Sequence, residues 1–299
     1  MATQTPTKPR TAAAEPAGVP PRPRTEGTVM NVFSHAFLWL WGLMVIVPVV
    51  WIVLSSFKST REIAADPLGL PAAPQWENYV NAWTNGDIGN YFVNTLQVMV
   101  FSISGTMLLG AMAAYVLARY EFRGNRLVYF GFAGGMMFPV FLALFPLFKT
   151  LDNVSLLNTY TGLVLVYIAY SLPFTVFFLT AFFRTLPSGV AEAALIDGAG
   201  HYRLFFQVML PMAKPGLIAI TIFNIIGQWN QFLLPLVLMS DPEDAVISQG
   251  LANLAMRQGY EGDPGALFAG TVLAMVPIFL AYLIFQRQIQ AGLTAGAIK

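Results

Sequence analysis

The chain has no cysteine, only two histidines, and charged residues at just 10% of its 299 positions. Without cysteine there is no disulfide, no thiolate nucleophile and no thiolate-held metal. Soluble domains carry about 25% charged residues, so this chain has too few to cover a water-facing surface. Neither sign dominates: 16 Lys and Arg stand against 15 Asp and Glu, a formal charge of +1, which excludes bulk attraction to a polyanion such as nucleic acid. What is plentiful is apolar. Hydrophobic residues make up 56% of the chain, with 24 Phe, 11 Tyr and 6 Trp, and mean hydropathy is +0.62. A cytosolic enzyme, a disordered chain and a basic nucleic-acid binder are excluded, and an integral membrane protein remains.

Six windows hold no charged residue: 32–57, 88–118, 127–148, 153–183, 215–240 and 264–286. Each reaches the roughly 20 residues a helix needs to cross about 30 Å of hydrocarbon. Barrel strands would instead alternate over segments of about 10 residues. The expected fold is therefore all-α, with six transmembrane helices. Orientation follows from basic residues in the loops. With the N-terminus in the cytoplasm, inner segments carry twelve Lys and Arg and outer segments only Lys58, Arg61, Lys149 and Arg257. Both termini are expected inside a multi-pass protein.

Residues 1–30 are rich in Pro, Thr and Ala, lack the apolar core of a secretory signal, and read as a flexible cytoplasmic tail. A first helix and a long outer loop fill 31–87. That loop carries Pro67, Pro71 and Pro74, with Trp76, Tyr79 and Trp83 as interface anchors. A core follows over 88–286, then a cytoplasmic tail at 287–299. A second outer loop, 241–263, holds five acids and one Arg. The two loops are simply solvated or form an external surface for a partner.

Inside the windows, Ser102, Thr106, Gly110 and Ala114 form a row of small residues at spacing four, and Gly131 and Gly135 repeat the idea; such rows let helices approach closely in lipid. Prolines at 48, 139, 146, 173, 235 and 277 predict kinks. In the fifth window Thr221, Asn224, Gln228 and Gln231 recur on one helical face. Polar groups there either bond neighbouring helices or line a watery path. In the second reading they form a wall for an uncharged, hydroxyl-bearing solute, with Trp229 and Asn230 as an apolar platform and its polar neighbour. No Asp, Glu, Lys or Arg lies within a window, and His35 is read as sitting at a helix end. A proton- or ion-coupled carrier would place such groups in the bilayer, so energy must come from outside the chain.

Segment 184–214 is not a plain connector. Ser188 is placed to cap a helix after Pro187, Glu192 falls in its first turn, and Gly198 suits the left-handed residue that ends it. A second helical stretch over 201–210 runs to Pro211. The expected shape is helix, turn, helix at the inner membrane surface, with a small-residue face for a cytoplasmic partner.

Here the residues resemble a known family. Glu192-Ala193-Ala194, then Gly198, then nine residues, then Val208-x-Leu210-Pro211 resembles the EAA loop of binding-protein-dependent ATP-binding-cassette (ABC) importer permeases, with Val208 in place of Ile. Pro74–Tyr79 (PQWENY), Trp229-Asn230-x-Phe232 and the tail from Gly292 to Lys299 (GLTAGAIK) are similar to signatures of the maltose-type carbohydrate subfamily. The likeness spans about residues 30–299. It implies a type I importer permease fold and a bacterial cell-membrane protein that forms half of the pathway for a sugar or oligosaccharide. The implied partners are a second permease subunit, two ATPase subunits and an external solute-binding protein. Glu192, Ala193, Ala194, Asp197, Gly198, Leu210 and Pro211 would meet the ATPase. Asn224, Gln228, Trp229, Asn230 and Gln231 would line the sugar path. The chain has no GxxxxGK[ST] phosphate loop, so a non-catalytic subunit without metal or cofactor is expected. The rival reading is an ion-coupled secondary carrier of a neutral solute, which leaves the EAA pattern unexplained.

Overall fold

The structure is a computed structural model that describes residues 24–295, without the side chains of 24–29, 258–261 and 289–295. The tail expected at 1–23 and the end of the GLTAGAIK motif at 296–299 lie outside the described residues. Every regular element among the described residues is helical. In order these are α1 (Arg24–Ser55), α2 (Thr60–Ala65), α3 (Glu77–Thr84), α4 (Ile88–Arg119), α5 (Asn125–Met137), α6 (Val140–Asn153), α7 (Tyr160–Thr185), α8 (Ser188–Ile196) and α9 (His201–Arg203). A π-helical segment, Leu204–Met209, follows, then α10 (Leu210–Met212), α11 (Lys214–Trp229), α12 (Leu233–Leu238), α13 (Ile247–Glu261) and α14 (Pro264–Ala295).

Contacts divide the chain into Met1–Val50 and Trp51–Lys299. The first unit contains most of α1, which begins at Arg24, immediately after the last proline of the N-terminal stretch. Residues 24–30, expected as tail, are therefore helical. His35 lies well inside this helix rather than at its end, with Nδ1 2.6 Å from the Asn31 carbonyl. Phe33, Trp39 and Met44 leave their side chains exposed.

In the second unit α4 and α7 pack side by side. The small-residue row makes this possible. Ser102, Thr106 and Ala114 are fully buried, and a Cβ on Gly110 would come within 2.5 Å of Thr175 Cγ2. Gly135 likewise abuts Pro173, whereas Gly131 faces open space.

Four helices are long and apolar enough to cross a membrane: Met30–Ser55, Ile88–Arg119, Tyr160–Thr185 and Pro264–Gln288. Two bent pairs, Asn125–Met137 with Val140–Asn153 at 101° and His201–Met212 with Lys214–Trp229 at 75°, raise the number to six if each pair is one span. The chain is thus a multi-pass membrane protein. Two windows read as single helices are broken. In the third, Pro139 has no N–H and pushes Phe138 out of the α region, to ψ 122°. In the fifth, α11 stops at Trp229, and the Asn230 side-chain amide joins its own backbone N–H on the Ile226 carbonyl, at 2.8 and 3.3 Å. Prolines 48, 146, 173 and 277 stay inside their helices.

The loops collect at two ends of this second unit. At one, Asn94 Nδ2 donates to the Glu243 and Ala245 carbonyls, and Asn158 Oδ1 accepts from Ser240 N and Asp241 N. Asn78 Nδ2 grips the Ser56 and Lys58 carbonyls there. The 58–84 loop is stitched by its own polar groups. Lys58 is 1% exposed and its Nζ donates to the carbonyls of Asp66 and Pro67. Ser59 and Glu62 form a capping box on α2, and Glu62 also accepts from Ala72 N. These bonds hold the Glu62 carboxyl below the ordinary carboxylate range, Ser59 N–H being the strongest cause. At the opposite end Arg119 Nη2 donates to Leu186 O at 2.6 Å, and Tyr120 Oη lies 3.0 Å from His201 Nδ1.

Candidate functional site

Two places hold the residues singled out by sequence: the connection between α7 and α11, and the polar face of α11. The connection begins at Pro187, which occupies the cap position in extended geometry (ψ 129°) with no side-chain cap bond. Ser188, expected as the cap, is instead the first helical residue. The other end closes as a Schellman motif. Gly198 stands at φ +80°, its N–H bonds Leu195 O at 3.0 Å, and Ala199 N bonds Ala194 O at 2.9 Å. A Cβ at Gly198 would meet nothing within 4 Å, so glycine is required there by conformation, not by space.

The second stretch does not stop at Pro211. It widens into the π-helical segment and continues through α10, with Leu210 N bonding Phe205 O, five residues back. The reason is local. Pro211 offers no N–H and its ring would press on the carbonyl of Gln207 in a plain α-helix, and a wide turn relieves both. Leu204, Phe205 and Met209 are buried against Tyr115, Leu179 and Phe183, which fixes α8 to the bundle. Ala194 and Leu210 pack against this cluster. Glu192, Ala193, Asp197, Gly198 and Pro211 are exposed. So are Val190, Leu195 and Ile196, the last at 86%. A short helix thus shows apolar side chains to its surroundings while Ala191 and Ala194 pack against the buried cluster.

The polar residues of α11 turn inward. Asn224 Nδ2 donates to Thr175 Oγ1 at 3.0 Å and lies 3.8 Å from Met107 Sδ. Gln228 Oε1 accepts from Ser102 Oγ at 2.6 Å, and its Nε2 donates to Ser171 Oγ at 3.2 Å. The interhelical reading is thus met at both positions. Ser171 and Thr175 were missed in the sequence, although Tyr167, Ser171 and Thr175 repeat at spacing four just as Asn224 and Gln228 do. Gln231 lies beyond the end of α11, off the helical face expected of it.

The five expected path residues do not share one cavity. Asn224, Gln228 and Gln231 line a space of about 740 Å³ bounded by α7 and by both broken helices. Trp229 and Asn230 line a separate space of about 550 Å³ between α11, α13 and α14. Trp229 is buried there, its Nε1 donating to Ala274 O at 3.1 Å and its ring edge-on to Phe92. Among the described residues no group of three or more Asp, Glu, His or Cys is placed to hold a metal.

The profile of the family described as "Binding-protein-dependent transport system inner membrane component" matches residues 106–294, which includes the whole α8 connection and the polar face of α11. The chain belongs to this family. As an inner membrane component of such a system it is a permease subunit of a binding-protein-dependent ABC importer, with the type I importer permease fold. It is 55% identical, over 89% of its length and 88% of the relative's, to the diacetylchitobiose uptake system permease protein NgcG of Streptomyces coelicolor. It is 35% identical, over 85% of its length and 92% of the relative's, to the trehalose transport system permease protein SugB of Mycobacterium tuberculosis. Among solved structures, a bacterial ABC transporter involved in import of the acidic polysaccharide alginate aligns with a TM-score of 0.76 at 21% identity. That alignment covers 90% of this permease and 99% of that chain, and shows the fold. The self-powered carrier has no support in these relatives.

Proposed function

We propose that this permease forms half of the membrane pathway for a sugar or oligosaccharide and is driven through α8 by ATPases on the cytoplasmic side. The substrate class rests on its relatives, a diacetylchitobiose uptake permease and a trehalose transport permease. In this reading a second permease subunit completes the pathway, two ATP-binding-cassette subunits sit below, and an external solute-binding protein delivers the sugar. Residues 88–286 are the transporting core, with 184–214 as its coupling loop. Residues 1–30 and 287–299 are cytoplasmic in a bacterial cell membrane. The loops richest in Lys and Arg, at 119–126 and 184–214, meet at one end, as that orientation requires.

The observation that carries the proposal is α8 itself, exposed along its length and closed by Gly198. Glu192, Ala193, Ala194, Asp197 and Gly198 present a small, rigid knob to an ATPase cleft, while Leu210 and Pro211 support it from behind. Nucleotide-driven closure of the ATPases moves the knob, and the anchored helices follow. Asn224, Gln228, Trp229, Asn230 and Gln231 belong to the pathway wall. ATP hydrolysis is left to the partner subunits.

Gly198→Val tests this in the reconstituted importer. A β-branched residue at φ +80° is strained by about 1–2 kcal/mol, enough to reshape the turn without touching the core. Sugar uptake falls more than tenfold while ATP hydrolysis persists and the permease's unfolding midpoint falls by only a few degrees. Full uptake by the variant would sink the proposal.

A further inference from the structure

We propose that the C-terminal end of α4 receives the push on α8, and that Arg119 and Tyr120 are the positioning residues which carry it across. This rests on the importer reading above and adds a route and two residues to it. The backbone alone joins α8 to its neighbours weakly. Before α8 stand Leu186 and Pro187, both extended, at ψ 142° and 129°. After it, the Gly198 turn leads to Gly200, again extended at ψ 165°. An extended residue interrupts the ladder of helical bonds, so a helix set between two such joints pivots unless side chains brace it.

Adjacent residues of α4 brace both joints. Arg119, the last residue of α4, donates from Nη2 to Leu186 O at 2.6 Å. Tyr120, the cap, holds its hydroxyl 3.0 Å from Nδ1 of His201, the residue after Gly200, and its ring lies edge-on to the imidazole. Tyr115 stands behind both braces, edge-on to Tyr120 and Phe183 and tilted against Phe205. The same end of α4 is tied to α5, because Asn125 Nδ2 donates to the carbonyls of Leu117 and Tyr120 at 3.2 and 2.8 Å. Higher up, α4 packs along α7 and its Ser102 bonds Gln228 of α11. Coupling travels through packed and hydrogen-bonded contacts between rigid elements. A displacement delivered to α4 therefore reaches α5, α7 and α11 together.

Stability alone does not account for Arg119. It is half-buried, its Nε has no hydrogen-bond partner, and no carboxylate is paired with it among the described residues. A guanidinium drawn partly out of water without a carboxylate is costly, and one carbonyl uses only part of its five-donor fork. What the arrangement gains is direction. The bond is short and charge-assisted, and the planar donor fixes the line along which Leu186 is held. A fork with an N–H to spare also keeps its grip as the carbonyl swings, passing it from one donor to the next.

The test uses the complete importer in ATP-loaded proteoliposomes, with tritiated trehalose, maltose and diacetylchitobiose as probes, and reads sugar taken up per ATP hydrolysed. Arg119→Met keeps an apolar stem and removes every donor. It lowers that ratio by roughly fivefold, while recovery of the ATPase subunits on co-purification stays at the wild-type level. Arg119→Lys, which keeps a charged donor, regains at least half of the loss. Tyr120→Phe, on a ring 36% exposed, lowers the ratio by roughly twofold with the unfolding midpoint unchanged, and it decides the matter if Arg119→Met does not fold. Arg126→Met removes an exposed cation at the same end and leaves the ratio unaltered. A role confined to stability would lower uptake and ATP hydrolysis in proportion and leave their ratio where it was. The inference is overturned by an unchanged ratio in Arg119→Met or Tyr120→Phe, by Arg119→Lys no better than Arg119→Met, by an equal fall in Arg126→Met, or by loss of the ATPase subunits. If the wild type moves none of the sugars, the importer reading fails with it, and that outcome is distinct from a wild type that transports and variants that couple equally well.

Discussion

Helices α8 and α11 break the same rule in opposite directions. The first shows Val190, Leu195 and Ile196 to water; the second hides Asn224 and Gln228 at 5% exposure each. The difference lies in where the compensation is found. On α11 it is inside the chain, in hydroxyls offered by Ser102, Ser171 and Thr175 from two neighbouring helices. On α8 nothing among the described residues provides it, which is why the proposed function gives that face to a partner subunit. A polar residue in a membrane helix is therefore not by itself a sign of a pathway, and an apolar residue on a connecting helix is a better sign of a partner. The chain's own bonds, not the residue types, separate the two cases.

That contrast can be broken most sharply on α8. Replacing Leu195 and Ile196 together with Glu should cost the detergent-solubilised permease little, within about 0.5 kcal/mol for exposed sites. Recovery of the ATPase subunits on co-purification should fall at least tenfold. Equal recovery would mean that this face is not the one covered. On α11 the expectation reverses. Gln228→Leu leaves the Ser102 and Ser171 hydroxyls without their partner and should cost about 1–3 kcal/mol of stability, read as a lower thermal midpoint, with assembly intact. Adding Ser102→Ala should return part of the loss; no recovery would mean the Ser102 bond contributes little.

A smaller effect belongs to the loop at the far end. The Glu62 carboxyl is held below its ordinary value of 4.5 by N–H groups of Ser59 and Ala72. The sign follows from that direction. The stabilising contribution is fully present above the unfolded value and is lost as pH falls through the lower folded value. Amide exchange at Ser59 and Ala72 should quicken on acidification below about pH 4.5, the carboxyl's ordinary value. Glu62→Gln should remove that dependence, and an unaltered pH profile in the variant would contradict it.

Much of this architecture was legible before any coordinates. Charge-free windows found the four long apolar helices and part of each bent pair, because a charge in hydrocarbon is costly wherever it falls. The α8 connection was legible for a different reason: Gly198 and the alanines before it encode local geometry, which needs no distant partner. What escaped were the break after Trp229, the cap, and which of the expected proline kinks would become a full break. Proline at 139 breaks its helix while prolines 146 and 173 do not, and the choice rests on packing that hydropathy does not report. Ser188 lost its capping role to Pro187, whose own backbone geometry starts the helix. Gln231 fell off its expected face because α11 ended two residues before it. The satisfaction of Asn224 and Gln228 depended on hydroxyls about 50 to 125 residues away in sequence, and although spacing marks those hydroxyls on their own helices, no local pattern pairs them with α11.

The widened turn at Leu204–Met209 has one more consequence. It sets the azimuth at which α8 leaves the membrane helices, because a residue accommodated in a loose coil rotates everything beyond it by about 100° about the axis. Shortening this segment by a single residue would leave the knob's composition intact and aim it elsewhere. In the coupling proposed for α8, the bearing of the push would be stored in those six residues.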